Sequence, residues 1–541
     1  NLARVLETLA STLTERECIV WRDRRLSYLD AAERAARFAS FLHAQGLGAR
    51  RERSGLAGHE SGQDHLAIAL YNGNQYLECL YGAFGARVAP FNVNYRYVGE
   101  ELRYLLNDAA PRAVVYHATL APTLAEVLSD VPSVRILVQV ADDSGHDLLP
   151  GALDYEEVLA ASAPVWPAVE LSGDDLYILY TGGTTGMPKG VLWRQNDIFF
   201  AAMGGRRVGT GDVVADDAHL AELARAGMGL RVLVLPPLMH GAAQWLCSYF
   251  LCDGATLVFP NETRHLDPVD VWSTIGRERI NNFSVVGDAM LRPLLDELGR
   301  GPYDTSSMLA VGNGGAPLTP AVRQRLHEAL PSIVITDTAG ASETGAQMHR
   351  VADRDGAAGD FVPAAGAVVI ADTFDRVLEP GHEGIGWLAQ TGWVPLGYLG
   401  DEEKTARTFP VIDGVRYSVP GDRARWRADG QIELLGRDSV TINSGGEKIF
   451  AEEVESAIAR NPAVADVVVT GRPSERWGQE VVAVVALAPG QDASAQDIVD
   501  GASAHIARYK LPKEVVFVPA VERSPSGKAD YRWARQQAGA G

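Results

Sequence analysis

The sequence predicts an α/β protein with a large, layered N-terminal domain and a small α+β C-terminal domain joined by a hinge. At 541 residues the chain exceeds the length of about 250–300 residues beyond which a single hydrophobic core stops growing. Apolar strand-like runs also alternate with helical patterns, which is typical of helices packed on largely parallel sheets. We expect an N-terminal domain over 1–436, a hinge at 437–439 and a C-terminal domain over 440–541.

In chain order, short apolar runs predict strands at 66–70, 113–116, 134–140, 176–180 and 333–335. Between them, apolar residues at helical spacing predict helices over 99–106 and 322–330. Two polar stretches rich in glycine or acidic residues predict exposed insertions at 49–64 and 209–228, the second of them mobile.

The segment 232–252 carries no formal charge apart from a possible one at His240, and its length alone would suit a membrane span. Pro236, Pro237, Gly241 and Gln244 interrupt it, however. We therefore predict a buried strand, a turn and a core helix.

The last hundred residues show a different pattern. A helix is expected to begin near Ala451, followed by strands at 464–469 and 480–487, another helix and a closing strand. This order predicts a small α+β unit appended through a short hinge.

The composition narrows the possible partners and the compartment. The formal charge of −20 argues against nucleic acid or an anionic membrane as the main partner. The four cysteines lack C-x-x-C spacing, so neither a zinc site nor a disulfide framework is indicated. With no signal peptide recognised at the start, we expect a cytoplasmic protein whose cysteines are reduced and buried.

The most informative segment is Thr-Gly-Gly-Thr-Thr-Gly-Met-Pro-Lys-Gly at 181–190, directly after the apolar run 176–180. Glycines let the backbone approach a ligand closely, threonine hydroxyls add donors and a lysine adds positive charge, which suits a polyphosphate. The spacing is not that of a Walker A loop, so an ordinary P-loop NTPase is disfavoured. The candidate phosphate-binding residues are Thr181, Gly182, Gly183, Thr184, Thr185, Gly186 and Lys189.

This loop resembles that of the adenylate-forming superfamily, which includes acyl-CoA synthetases, amino-acid adenylation domains and luciferases. The usual family form is Tyr-Thr-Ser-Gly-Thr-Thr-Gly-x-Pro-Lys-Gly, with Gly182 here in place of the serine. Further matches extend over nearly the whole chain. The resemblance therefore implies the adenylate-forming enzyme fold, with its large N-terminal and mobile C-terminal domains.

Two further segments resemble the adenine and magnesium motifs of the family. Gly-Gly-Ala-Pro at 314–317 would let adenine lie against backbone, and Glu343 would hold Mg²⁺ against the ATP phosphates, a ligand set that suits this hard cation. Ala339 replaces the family's adenine-stacking tyrosine, which weakens one contact. The resemblance assigns to the nucleotide site Gly314, Gly315, Ala316, Pro317, Asp337, Thr338, Ala339, Gly340 and Ser342.

Tyr-Ser-Val-Pro-Gly-Asp at 417–422 resembles the motif whose aspartate accepts hydrogen bonds from both ribose hydroxyls, a role implied here for Asp422. Arg437 would contact the ribose or phosphate side, and Ser439 falls at the hinge pivot. Gly446 matches a glycine beside the pantetheine tunnel, and Lys448 is a candidate phosphate partner.

Ser-Pro-Ser-Gly-Lys-Ala at 524–529 resembles the closing motif of the family, which makes Lys528 the candidate catalytic lysine. His240 matches a position at the acyl pocket, although a buried structural histidine is the alternative. Residues near segments that line the acyl pocket in relatives are small or polar, which permits a roomy site without measuring it: Gly204, Gly205, Gln244, Gly287 and Asp288.

The resemblance implies an ATP-dependent, AMP-forming acyl-CoA synthetase that uses ATP, Mg²⁺ and coenzyme A. The chain is similar in detail to actinobacterial synthetases for fatty acids or steroid side-chain acids, through 189–195 and 529–533. With no carrier domain seen after Lys528, free coenzyme A is the expected acceptor, and a homodimer is possible. Two alternatives stay open: a fatty-acyl-AMP ligase that uses a carrier protein, and a degenerate nucleotide-binding regulatory protein.

Overall fold

A computed structural model describes residues 1–181, 187–207, 211–352, 361–444, 447–474, 477–523 and 528–539. It gives side chains for all of these except Ala352, Arg437, Ser439, Glu447 and Lys448.

The strands, numbered in chain order, are β1 (Glu17–Trp21), β2 (Arg24–Ser27), β3 (His65–Ala69), β4 (Ala89–Asn92), β5 (Ala113–His117), β6 (Ile136–Val140), β7 (Leu153–Asp154), β8 (Leu176–Thr181), β9 (Lys189–Arg194), β10 (Arg231–Leu233), β11 (Thr256–Phe259), β12 (Asn282–Val285), β13 (Ala310–Gly314), β14 (Val334–Ala341), β15 (Gly345–Ala352), β16 (Val362–Pro363), β17 (Ala367–Ile370), β18 (Gly386–Thr391), β19 (Gly397–Tyr398), β20 (Val411–Ile412), β21 (Val415–Ser418), β22 (Asp422–Trp426), β23 (Ile432–Arg437), β24 (Ile442–Ser444), β25 (Glu447–Ile449), β26 (Val464–Ser474), β27 (Gly478–Leu487) and β28 (Glu514–Phe517).

The helices are α1 (Leu2–Leu13), α2 (Tyr28–Ala44), α3 (Asn74–Gly85), α4 (Gly99–Ala109), α5 (Ala121–Leu128), α6 (Tyr155–Ala161), α7 (Gln195–Ala201), α8 (Asp217–Ala226), α9 (Gly241–Cys252), α10 (Pro268–Glu278), α11 (Gly287–Leu298), α12 (Pro320–Ala329), α13 (Glu402–Thr408), α14 (Ala451–Ile458), α15 (Ala495–Ser503) and α16 (Tyr531–Gln537).

Two large, mostly parallel sheets form the body of the molecule. The first runs β16-β15-β14-β13-β12-β10-β11-β1-β2, and the second runs β19-β9-β8-β4-β3-β5-β6-β7. In the second sheet β3 is buried along its whole length, and α3 is buried on every face. Burial on both sides explains why such strands read as continuous apolar runs, because helices cover both faces of a parallel sheet.

A third, antiparallel sheet runs β20-β21-β18-β22-β23, with β17 on β18. A fourth runs β25-β24-β27-β26, with β28 parallel to β27. Together with α14, α15 and α16, the fourth sheet forms what we call the C-terminal unit. It has its own hydrophobic core, which includes Ile449, Val454, Val469 and Ala483.

The structure confirms the main elements expected from the sequence. The segment 232–252 contributes to β10, a turn and α9, and none of the helices in the described ranges is long and apolar enough to cross a membrane. All four cysteines are buried as free thiols. The predicted limits of the N-terminal domain, hinge and C-terminal domain stay a prediction.

One expectation about local structure was wrong. The polar stretch 209–228 was expected to be a mobile loop, but it contains α8, which Asp216 caps through its side chain. Leu220, Ala221 and Ala224 are buried on one face of α8, so this acidic segment is an amphipathic helix covering the core.

Candidate active site

The carboxyl ends of the two large sheets meet at one place. Asn72, just after β3, donates from Nδ2 to the carbonyls of Val234 and Pro236 at 3.4 and 3.0 Å, in the segment that follows β10. Its Oδ1 accepts from the Leu238 amide at 2.7 Å. Ligands of parallel α/β sheets bind at the carboxyl ends of the strands, so this junction is where a site is expected.

The predicted phosphate loop closes a β-hairpin at this edge. Strands β8 and β9 are antiparallel, and Thr181 pairs with Lys189 at the mouth of the loop. The predicted contacts of Gly182, Gly183, Thr184, Thr185 and Gly186 lie outside the described residues.

Asn92, at the end of β4, connects this hairpin to the segment that carries His240. Its Nδ2 donates to the carbonyls of Tyr180 and Met239 at 2.9 and 2.6 Å, and its Oδ1 accepts from the Tyr180 amide at 2.8 Å. The side chain is buried. One amide thus fixes the base of the phosphate loop relative to the turn before His240.

Lys189 forms an ion pair with Asp401, the residue that caps α13. The hydrogen bond from Lys189 lowers the pKa of the Asp401 carboxyl. A second lysine, Lys404, lies nearby, with Nζ at 4.5 Å from the centre of the Tyr398 ring. Burial, followed by the charge of Lys189, lowers the pKa of Lys404. The two ammonium groups make the hairpin edge a suitable place for phosphate oxygens.

Glu343 lies in the turn between β14 and β15, next to these lysines. One carboxylate oxygen accepts from the Tyr398 hydroxyl at 2.7 Å, and its backbone carbonyl accepts from Ser418 Oγ at 2.6 Å. In the described ranges, no three His, Cys, Asp or Glu residues are grouped so that they could hold a metal ion. A single carboxylate nevertheless fits Mg²⁺, which commonly takes one or two carboxylates and completes its shell with phosphates and water.

The adenine-side residues come together through strand register. Gly314 pairs with Thr338 on the adjacent parallel strands β13 and β14. Thr338 is exposed, whereas a Cβ added at Gly340 would lie 2.0 Å from the Gly345 carbonyl oxygen. Gly340 is therefore required by the β14–β15 turn itself. The carbonyl of Ser342 accepts from Trp193 Nε1 at 2.8 Å.

Asp337 has a structural role that the sequence did not indicate. Its buried carboxylate accepts from Asn313 Nδ2 at 2.8 Å, from Arg323 at 2.7 Å and from Arg350 at 2.8 Å. Because both oxygens are occupied by protein donors, we assign the carboxylate to bracing β14. A contact between Asp337 and the nucleotide stays a prediction without support from these hydrogen bonds.

The predicted ribose and hinge residues are neighbours. Asp422 begins β22 and pairs with Arg437 at the end of β23, so both lie at the same edge of the third sheet. A 3₁₀ turn over Asp438–Val440 follows, and the backbone of Lys448 lies in β25. Gly446 lies outside the described residues.

His240 and Lys528 come from different parts of the chain, and the charge of Lys528 acts on the His240 imidazole. His240 immediately precedes α9, and its buried Nε2 has no hydrogen-bond partner in the described part of the chain. Burial, and then the positive charges of Lys528 and Arg96, lower the pKa of His240 to about 4. The exposed Lys528 of the C-terminal unit is thus close enough to affect the imidazole, which is neutral at physiological pH.

Close packing, and not open pocket space, explains why positions 204 and 205 are occupied by glycine. A Cβ at Gly204 would lie 2.7 Å from that of Cys252, and one at Gly205 would lie 2.6 Å from a ring carbon of Phe199. The buried Gln244 side chain donates hydrogen bonds to the Tyr76 hydroxyl and the Leu238 carbonyl, and it accepts one from the Tyr177 hydroxyl. These residues therefore do not support the expectation of a roomy pocket.

Comparison with known protein families shows which family this chain belongs to. The AMP-binding enzyme family matches residues 6–399, and the AMP-binding enzyme C-terminal domain matches residues 453–528. The chain belongs to the AMP-binding enzyme family. It is an acid–thiol ligase of that family, as the resemblance implied.

Several curated AMP-binding enzymes are similar over almost their full length. The chain is 57% identical to a medium-chain acyl-CoA ligase, Mig, of Mycobacterium avium, covering 99% of this chain and 97% of that one. It is 38% identical to a 3-oxocholest-4-en-26-oate–CoA ligase of Rhodococcus rhodochrous, covering 100% and 96%.

Solved structures with the same fold are also found. ATP-bound MatB of Rhodopseudomonas palustris matches with a TM-score of 0.80 at 22% identity, over 99% of this chain and 98% of that one. An anthranilate–CoA ligase in complex with anthranoyl-AMP matches with a TM-score of 0.79 at 19% identity, over 99% and 97%. At these identities, the likeness supports the fold alone.

Four residues of this site were missed by sequence reasoning: Asn92, Tyr398, Asp401 and Lys404. A sequence signal existed for three of them, since Gly-Tyr-Leu-Gly-Asp-Glu-Glu-Lys at 397–404 joins a glycine-rich turn to a capping aspartate and a lysine. Asn92 ends an apolar strand, and nothing local distinguishes it.

Proposed function

We propose that this ligase activates a medium-chain fatty acid with ATP and transfers the acyl group to coenzyme A. The observation that carries the proposal is the junction of the two large sheets, where Asn92 ties the Thr181–Lys189 hairpin to the turn before His240. The charge of Lys528 acts on that imidazole, so a cation of the C-terminal unit would be supplied at this junction. The chain length of the acid is proposed from the similarity to Mig.

In the first half-reaction, a carboxylate oxygen attacks the α-phosphorus of ATP, and the bond to pyrophosphate breaks. Negative charges converge at this step, so catalysis is mainly positioning and charge neutralisation. Lys528 would contact the carboxylate and the α-phosphate, while the hairpin and Lys189 would hold pyrophosphate. Asp422 would accept hydrogen bonds from the ribose hydroxyls, and the 314–317 turn with Thr338 and Ala339 would face adenine.

Neutral His240 would line the acyl end of the site. Its Nε2 can form one hydrogen bond with the substrate carboxylate without adding a charge. Glu343 is the residue that would hold Mg²⁺, and the ion would supply positive charge to the phosphate oxygens. The Tyr398 hydroxyl fixes one oxygen of Glu343, and the other oxygen would bind the ion.

In the second half-reaction, the coenzyme A thiol attacks the acyl carbon and AMP leaves with the electrons of the broken anhydride bond, while the thiol proton is released. We propose that the C-terminal unit turns about 437–439 between the two steps. Gly446 and Lys448 would then lie along the path of the thiol arm. A cytoplasmic location and a homodimer remain part of the same proposal.

A steroid side-chain acid is the second candidate substrate, because the 38%-identical relative is named for such an acid. The measurement is AMP release with ATP, Mg²⁺ and coenzyme A across short, medium, long and sterol-derived carboxylic acids. Turnover that requires both acid and coenzyme A, highest with medium-chain acids, is expected. Acid-dependent pyrophosphate exchange without coenzyme A turnover would instead identify a carrier-protein ligase, and no exchange at all would identify a binding protein.

The role of Lys528 is tested by separating the half-reactions. Lys528→Ala should lower acid-dependent pyrophosphate exchange by about a hundredfold or more, as loss of one electrostatic group at a transition state does. Transfer from a preformed acyl-adenylate to coenzyme A should change little. The matched control is Lys513→Ala, an exposed lysine of the same unit, which should leave both steps unchanged; equal loss of both steps in Lys528→Ala would contradict the role.

A further inference from the structure

The backbone next to Lys528 is tied to the C-terminal unit by strand-like pairing. Arg523 and Ala529 form an isolated antiparallel bridge, and Lys528 directly precedes Ala529. The backbone at this bridge therefore sets where the lysine side chain begins. A lysine has four flexible side-chain torsions, so the precision of its ammonium group depends on the position of its backbone.

Arg523 is held in place by a two-pronged ion pair. Its Nε donates to Asp466 Oδ2 at 2.8 Å, and a terminal nitrogen donates to Oδ1 at 2.5 Å. The two side chains are only 19% and 22% exposed. Such a bidentate pair fixes direction as well as distance, because two parallel hydrogen bonds prevent the guanidinium from turning.

Asp466 is directed towards Arg523 by an irregularity in its strand. The pairing of β26 with β27 shifts register between Val464 and Asp466. Asp466 Oδ1 also accepts from the Val467 amide at 2.8 Å. A bulge of this kind re-aims a side chain, so the strand supplies the carboxylate in a fixed orientation.

The charges of two further carboxylates, Glu455 and Asp288, also act on this guanidinium. Burial lowers the pKa of Arg523, but the hydrogen bonds and charge of Asp466, followed by the charges of Glu455 and Asp288, raise it overall. Asp288 lies on α11, where it is held by the Thr319 hydroxyl at 2.7 Å and by Arg292 at 2.7 Å. Arg523 therefore donates to Asp466 within the C-terminal unit, while the charge of Asp288 adds to the field at its guanidinium.

We propose that the Asp466–Arg523 ion pair is a positioning device for adenylate formation: it fixes the Arg523–Ala529 bridge, the backbone base from which the Lys528 side chain extends, so that the ammonium group reaches the α-phosphate. This inference rests on the proposed role of Lys528. Asp466 and Arg523 act through that lysine and touch no substrate themselves. Misplacement of a reacting group by about 1 Å can cost about a hundredfold in rate, so a loosened base should be visible in the turnover number.

The test is Asp466→Asn, which keeps the shape of the side chain and removes its charge. The turnover number of acid-dependent pyrophosphate exchange should fall by about tenfold to a hundredfold, since a charge-assisted pair is lost. The KM values for ATP and acid should change by less than about twofold. Transfer from a preformed acyl-adenylate to coenzyme A should be retained, because that step does not use Lys528.

The matched control is Glu480→Gln. Glu480 pairs with Arg472 at 2.5 Å between β26 and β27, and these side chains are 21% and 27% exposed. Removal of this pair should leave the turnover number of pyrophosphate exchange unchanged. Arg523→Lys keeps the charge and loses the two-pronged geometry. Like Asp466→Asn, it should lose pyrophosphate exchange and retain transfer to coenzyme A, and it replaces Asp466→Asn in the test if that variant fails to fold.

A double variant distinguishes coupling from general damage. Asp466→Asn combined with Arg523→Lys should lose no more exchange activity than either single variant, because both changes break one interaction. Suppose that Lys528→Ala loses exchange as expected. The inference would then be overturned by additive losses in the double variant, by equal loss of both half-reactions in Asp466→Asn, or by full exchange activity in Asp466→Asn. Retention of exchange in Lys528→Ala would overturn the proposed role of Lys528 and this inference together.

Discussion

At the scale of single residues, burial decides the chemistry of His240. The imidazole is removed from water and lies near two cations, which keeps its pKa at about 4. A protonated ring would repel Lys528, whereas a neutral ring does not oppose the presence of that cation. The exposed position of Lys528 and the burial of His240 therefore suit their different proposed roles.

This low pKa predicts a pH-dependent stability. Between its ordinary pKa of 6.5 and about 4, His240 binds a proton in the unfolded chain but not in the native protein. The free energy of unfolding should therefore decrease as the pH falls through this window, and His240 should account for roughly 3 kcal/mol of that decrease at most. Denaturant unfolding of His240→Asn between pH 4 and 7 should show a smaller decrease than the wild type.

The control for this measurement is His382→Asn, which removes an exposed imidazole. Its unfolding free energy should follow the wild-type pH dependence. An unchanged pH dependence in His240→Asn would mean that this imidazole titrates alike in the folded and unfolded chains.

At the scale of elements, the site depends on strand ends that are held together by buried amides. Asn92 joins β4 to β8 and to the turn before His240, and Asn72 joins the end of β3 to the same segment. Three buried backbone groups would lose a partner without the Asn92 side chain. Such groups are costly to leave unsatisfied.

Asn92→Ala should therefore lower the free energy of unfolding by about 3 kcal/mol. The ATP-dependent step should slow as well, because the phosphate hairpin and the His240 turn lose their common support. Urea unfolding and pyrophosphate exchange measure the two effects. Asn107→Ala, which removes an exposed amide on α4, should stay within about 0.5 kcal/mol of the wild type; a similar small change in Asn92→Ala would contradict the bracing role.

At the scale of the whole molecule, the junction between the third sheet and the C-terminal unit selects an orientation. Gly436 near the end of β23 has a φ of +117°, and a Cβ there would lie 2.1 Å from a carboxylate oxygen of Glu452 on α14. The absence of a side chain thus allows the two parts to pack closely just before the predicted hinge. This is the orientation in which Lys528 lies near His240.

Gly436→Ala should disfavour this orientation, because the Glu452 carboxylate must move away. Adenylate formation should fall relative to thioester formation by roughly fivefold, which corresponds to about 1 kcal/mol. The matched control is Gly430→Ala, which also has a positive φ, +84°, but no neighbour within 4 Å. Both variants should lose some stability through backbone strain, and only Gly436→Ala should change the ratio of the two half-reaction rates; an equal ratio in both variants would contradict the prediction.

The sequence determined the elements and the family of this protein. Apolar runs such as 66–70 and 113–116 predicted β3 and β5, because strands covered on both faces carry a continuous hydrophobic signal. The glycine- and threonine-rich loop at 181–190, together with the ordered matches down to Lys528, led to the ligase family before any contact was known. The sequence pattern did not predict α8 within 209–228, because the polar residues of this helix outnumber the apolar residues of its buried face.

Which of these residues meet, and what each side chain can do, depends on the three-dimensional fold. The three donors to the Asp337 carboxylate come from Asn313, Arg323 and Arg350. Asp401 and Lys404 lie beside the Thr181–Lys189 hairpin and Glu343, and Arg523, which pairs with Ala529 next to Lys528, is bound to Asp466. These partners are far apart in the chain, so no local pattern encodes them. Hydrogen bonds, burial and charge act over distances in space, and the fold alone sets those distances.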